Sequence, residues 1–176
     1  MVADVNVLRT PFPVVDADPH FGRVVRYLRP SDYGLWAAGT LAAPAALYGL
    51  EMADSTLPRG MKPHPHGRFV HLRHSLRLTA FLGFAGGFLL AYQNCSLRLW
   101  GWKENQLEQD RDREELGARA AQGLPLYGET DLPEYIQGVA HRNSMWSQLK
   151  FGVLPWFNFV NHQHHGTDPA KYKEQS

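Results

Sequence analysis

Leu78–Leu97, LTAFLGFAGGFLLAYQNCSL, contains no Asp, Glu, Lys or Arg, and its reading decides the fold. Arg77 closes it on one side and Arg98 on the other. Twenty residues wound as an α-helix rise about 30 Å, the hydrocarbon thickness of a bilayer. A core helix of a soluble protein this long normally turns a polar face to water. Here Leu, Phe and Ala run round the helix as far as Tyr92. We therefore read a transmembrane helix; the competing reading is a fully buried core helix. The last third carries Gln93, Asn94, Cys95 and Ser96. Such groups are costly against lipid, so this end is expected to pack on another helix or at the interface.

A second uncharged run precedes it: YGLWAAGTLAAPAALYGL, Tyr33–Leu50, bounded by Asp32 and Glu51. Its length suits a span, although Ala and Gly make it less hydrophobic. Gly34, Ala38, Ala42 and the pair Ala45–Ala46 place small residues three or four apart, the spacing that lets two helices approach closely in lipid. Pro44 would cost about 3 kcal/mol in an exposed soluble helix but is tolerated in a membrane. Tyr33, Trp36 and Tyr48 suit interfacial belts. Ser31 or Asp32 is expected to cap the helix.

Residues 51–77 link the two runs, with Pro58, Pro63, Pro65, Gly60 and Gly67 marking loop in the first half. Residues 1–32 are expected to form an extended surface arm followed by a short amphipathic helix. In GRVVRYLR, Arg23, Arg26 and Arg29 recur every three residues, opposite Val24, Val25 and Leu28. A helix on a membrane surface, its arginines at lipid phosphates, and an ordinary solvated helix face both fit.

Beyond Arg98, Trp100 and Trp102 have the placement of interfacial anchors. The composition then shifts to KENQLEQDRDREELGARAAQ, read as a solvated helix with ion pairs such as Asp110–Arg113 and Glu115–Arg119, ended by Gly123 and Pro125. It is weakly amphipathic, and Leu107 and Leu116 are too few to anchor it alone. A further short helix is expected to start near Leu132–Ile136. The aromatic run Gly152–Val160, with Trp156 and Phe157, is too short to span a bilayer and is expected in the interface or in a groove of a partner.

Composition narrows the function. The formal net charge is +1, and the basic residues form no dense patch, which argues against nucleic acid as a partner. Cys95 is the single cysteine, so one chain can build no disulfide and no cysteine-based metal site. The opening MVADVNVLRTPFPVVDADPH has neither the basic-then-apolar pattern of a secretory signal nor the acid-poor character of a mitochondrial presequence, so an internal address is expected for import.

Nine histidines raise a metal hypothesis. His162, His164 and His165 stand together in NHQHHG, but a closed site needs three or four converging ligands. Neither apolar run holds a histidine for a transmembrane haem. The serines lack a nucleophile elbow, and Gly83, Gly86 and Gly87 lie in the apolar helix, where small residues mean packing. No catalytic constellation is legible.

Two stretches carry a resemblance. PFPVVDADPHFGRVVRYLRPSDY, Pro11–Tyr33, and GVAHRNSMWSQLKFGVLPWFNFVNHQHHG, Gly138–Gly166, resemble the fungal-type 21 kDa accessory subunit of mitochondrial respiratory complex I, the NADH:ubiquinone oxidoreductase. With the runs between them the resemblance covers most of the chain. It implies an inner-membrane protein with two spans and no cofactor. It also implies attachment to the membrane arm, in a role of assembly or stability rather than electron transfer.

The expectation is therefore an all-α membrane protein with two antiparallel transmembrane helices, 33–50 and 78–97. An N-terminal arm spans 1–32, an extramembrane loop 51–77, and a partly helical extramembrane segment 98–176. Its partners are membrane-arm subunits of complex I and phospholipids such as cardiolipin. Arg23, Arg26, Arg29, Arg73, Arg77, Arg98, Trp100, Trp102, Trp156 and Phe157 are the expected lipid and interface contacts. The alternative is a small membrane-bound metal enzyme using the C-terminal histidines.

Overall fold

The computed structural model describes residues 9–53, 68–146, 157–166 and 169–172. These residues form helices and no strands. The helices are α1 (Phe21–Arg26), α2 (Pro30–Ala53), α3 (Arg68–Leu99), α4 (Gln106–Ala121) and α5 (Glu134–Ser144), followed by a 3₁₀ turn at Pro169–Tyr172. The chain divides into two compact units. One comprises residues 29–91, and the other residues 1–28 with 92–176.

In the first unit, α2 and α3 run antiparallel: Trp36 meets Phe84 and Phe88, while Gly83 faces Ala43. Glycines set the closeness. A Cβ at Gly87 would lie 2.6 Å from the Trp36 carbonyl oxygen, and one at Gly83 would lie 2.8 Å from that of Gly39. Backbone thus rests on backbone, as small residues allow. Trp36 Nε1–H donates to the Phe84 carbonyl (2.9 Å). α2 begins earlier than expected. Pro30 takes the first helical position, where its missing N–H costs nothing. Asp32 Oδ2 reaches back to accept from the Arg29 N–H (2.8 Å), so the cap is a carboxylate at the third position.

Among the described residues, one helix is both long and apolar enough to cross a membrane: α3, over Arg73–Leu99. α2 has the length, but its Ala and Gly content leaves it short of the same hydropathy. Of the expected pair of spans, the two long antiparallel helices are present, and one of them meets the standard of a span. Both expose large apolar side chains, among them Leu41 (69%), Phe81 (66%) and Leu82 (56%). Of the expected extramembrane loop 51–77, residues 51–53 belong to α2 and 68–77 to α3, and residues 54–67 lie outside the described residues.

The second unit overturns the reading of a loose surface arm. Val15, Asp16, Ala17 and Asp18 are buried. The Val15 and Asp16 N–H groups both donate to the Leu99 carbonyl, and Ala17 N–H donates to that of His165 (2.9 Å). Trp100 packs edge-on against Trp146 (5.4 Å) beside Ala17. Trp100 is therefore a core side chain, not an interfacial anchor, while Trp102 is exposed. α4 ends as its sequence indicates: Gly123 has φ +68° and Leu124 N–H donates back to the Arg119 carbonyl (3.0 Å), a Schellman closure.

Candidate functional site

The polar centre of the second unit is built on α4. Glu108, Asp112 and Leu116 are buried at i, i+4 and i+8, one face of the helix. Leu107 is exposed, and of the two leucines only Leu116 is buried. Two acids on the inner face need partners, because unpaired buried charge is prohibitively costly. Arg98 supplies one, its Nε 2.8 Å from Glu108 Oε1. Arg23 supplies the other. Its guanidinium bridges Asp112 and Asp16, with Nη1 2.6 Å from Asp16 Oδ2. Tyr172 O–H also donates to Asp112 (2.6 Å).

Arg23 and Arg98 are thus corrected from lipid contacts to interior cations neutralised by carboxylates. Nor do Arg23, Arg26 and Arg29 share a helix: α1 stops at Arg26, and Arg29 precedes α2. Arg26 lies at the surface and pairs with Glu115 (3.1 Å), so the expected Glu115–Arg119 pair gives way to one between helices. The Asp110–Arg113 pair is present at 3.2 Å. Arg73 and Arg77 are exposed on α3. Phe157 packs edge-on against Phe21 (5.3 Å) and Tyr92 (4.9 Å); Trp156 lies outside the described residues.

His165 stacks on Tyr127 at 3.6 Å. Its Nδ1 faces Asp16 Oδ1 (2.7 Å) and its Nε2 faces the His162 carbonyl (2.9 Å). Both ring nitrogens are thus engaged, one by the N-terminal stretch and one by the C-terminal stretch. Burial by itself would raise the Asp16 carboxyl, but the charges of His165 and Arg23 outweigh it and hold it below the usual carboxylate range. Burial also opposes charge on Arg23, yet Asp16 and its neighbours fix the proton there more firmly still.

Asp18 is a second hub. Its Oδ2 faces His162 Nε2 (2.9 Å) and His141 Nδ1 (3.1 Å), and accepts from Ser144 O–H (2.6 Å). Asp18, His141 and His162 have the composition of a metal triad, with ligand atoms within 4.8 Å of one another. The hydrogen bonding uses that donor set otherwise. His162 Nδ1 accepts from the His164 backbone N–H (3.2 Å). Its Nε2 faces both Asp18 Oδ2 and, at 3.2 Å, Asn158 Nδ2, so both ring nitrogens are engaged within the fold. Nor do the three histidines singled out in the sequence converge as ligands. His165 is committed to Asp16, and His164 is exposed.

The arrangement fastens three distant segments: the N-terminal stretch around Asp16–Arg23, α4, and the C-terminal stretch around His162–Tyr172. Cys95 is buried with its thiol 3.4 Å from the Val24 carbonyl.

The N-terminal and C-terminal stretches both lie within matches to known proteins, while Glu108 and Asp112 fall between the two matches. Residues 9–104 match the family described as NADH-ubiquinone oxidoreductase complex I, 21 kDa subunit. Residues 113–176 match the family described as the C-terminal part of the NADH-ubiquinone oxidoreductase 21 kDa subunit. The chain belongs to the NADH-ubiquinone oxidoreductase 21 kDa subunit family. Among its relatives is the NADH-ubiquinone oxidoreductase 20.9 kDa subunit of Neurospora crassa, 45% identical over 172 residues, which cover 97% of this chain and 86% of that protein. In this 21 kDa subunit family member, the first match takes in Asp16, Arg23 and Arg98, and the second takes in the histidine run and Tyr172.

Proposed function

We propose that the chain is an accessory, non-catalytic subunit of the membrane arm of mitochondrial complex I, and that it serves the assembly and stability of that complex. Membership in the 21 kDa subunit family carries the reading. The arrangement of the side chains supports it. The buried charged groups are engaged with each other in ion pairs and hydrogen bonds. The α2–α3 pair supports membrane attachment through apolar side chains turned outward. In this reading both helices cross the inner membrane, α2 gaining from α3 what its own composition lacks. Arg26, Arg73 and Arg77 meet lipid phosphates such as those of cardiolipin, and Trp102 lies at the interface.

The test is a native-gel separation of mild-detergent extracts of mitochondrial membranes, probed with an antibody to this chain. Co-migration with NADH dehydrogenase activity is expected, with loss of fully assembled enzyme when the chain is deleted. Migration as a small species by itself would reject the assignment.

A further inference from the structure

A cavity of about 320 Å³ opens between α1 and α4 in the second unit. Its wall carries three guanidinium groups, Arg23, Arg26 and Arg119, and one carboxylate, Glu115. Their pairing decides what the cavity lacks. Arg23 is neutralised from behind by Asp16 and Asp112. Arg26 is matched by Glu115, which also accepts from Tyr27 O–H (3.0 Å). Arg119 has no carboxylate partner among the described residues. Its Nη1 reaches only the Pro125 and Leu126 carbonyls, at 3.4 and 3.5 Å, the outer edge of a hydrogen bond. Arg119 is thus a half-buried guanidinium with five N–H groups and two long neutral contacts, and it brings unspent donors to the cavity.

We infer that this cavity binds a phosphate group through Arg119, with Arg26 as the second cation. Two guanidinium forks at one site favour an acceptor with more oxygens than a planar carboxylate offers. A tetrahedral phosphate accepts from both at once, bidentate on at least one. The unspent donors of Arg119 suit an oxyanion, and the space is many times that of a water. A phospholipid headgroup and free phosphate share this chemistry. The inference rests on the chain's own cavity and not on its place in complex I, so failure of co-migration leaves it standing, and its own failure leaves the family assignment untouched.

The experiment uses the full chain purified in a neutral detergent without phosphate. One arm titrates inorganic phosphate by calorimetry. The other counts phospholipids retained in native mass spectrometry after extraction from membranes. Arg119→Gln should weaken whichever ligand binds by about tenfold or more, the worth of a charged hydrogen bond. Arg119→Lys, which keeps the charge but not the fork, should fall between. Glu115→Gln removes the competing carboxylate and should tighten binding. Circular dichroism of each variant confirms the fold. Arg119-dependent retention of phospholipid without response to inorganic phosphate assigns the site to a headgroup, and the reverse assigns it to free phosphate. Equal behaviour of wild type and Arg119→Gln in both arms, or weaker binding by Glu115→Gln, overturns the site.

Discussion

Arg23 and Asp16 form a buried ion pair, Nη1 to Oδ2 2.6 Å, with side chains 6% and 0% exposed. The same guanidinium also holds Asp112 from α4. One cation thus serves two interior carboxylates, and His165 shares the charge of the first.

Removing Arg23 strands both acids away from water. Arg23→Met should destabilise the chain by ~3–5 kcal/mol, as measured by denaturant unfolding in detergent, because breaking a buried pair leaves uncompensated charge. Adding Asp16→Asn to it should recover part of that loss rather than add to it. Additive losses would show that the two residues do not act as a pair.

The tryptophans near the end of α3 should separate by burial. Trp100 is 2% exposed against Trp146, whereas Trp102 is 38% exposed. Trp100→Ala should cost ~3–5 kcal/mol, and Trp102→Ala much less in detergent. Comparable losses would restore the symmetric interfacial reading.

Glycine positions on α3 give a matched pair of substitutions. A Cβ at Gly87 meets the Trp36 carbonyl at 2.6 Å, while one at Gly86 meets nothing within 4 Å. Gly87→Val should force α2 and α3 apart and lower the thermal transition of the helical signal. Gly86→Ala should leave it level or raise it slightly, since alanine is the better helix former. Equal effects would contradict the close approach.

Acid should loosen the second unit in two stages. Burial lowers the pKa of His20 from its ordinary 6.5, with neighbouring positive charges adding to the shift. The folded state then binds fewer protons than the unfolded one, so stability is full above that value and is lost as pH falls through the folded pKa. The mechanism is local: His20 Nδ1 accepts from the Gly22 N–H (3.1 Å) at the start of α1, and protonation replaces that acceptor with a donor. His164, lowered by burial and then by His141 and His162, acts in the same direction. Asp16 follows the same sign in a lower window, as its carboxyl is depressed below 3.8. Thermal stability should fall as pH drops below 6.5, and His20→Asn, which keeps a capping acceptor, should flatten part of that fall. An unaltered slope would remove His20 as its source.

By itself the sequence determined the elements whose causes are local. Uncharged runs of eighteen and twenty residues placed the cores of α2 and α3, and Gly123 with Pro125 placed the end of α4. The terminal motifs identified the family. Only the tertiary structure decided which charges are interior. The Glu108–Asp112 spacing on α4 marked a single helix face, and Leu116 continued it, but acids in a charged helix read as solvated until a cation is seen across from them. That cation, Arg23, stands 89 residues from Asp112, and His162 stands 144 from Asp18. Helical periodicity reports a few turns of chain, whereas the cost of a buried charge is set by whichever distant group the fold brings to it. The arginines of the N-terminal stretch were legible as cations, and the fold turned Arg23 inward and left Arg26 at the surface.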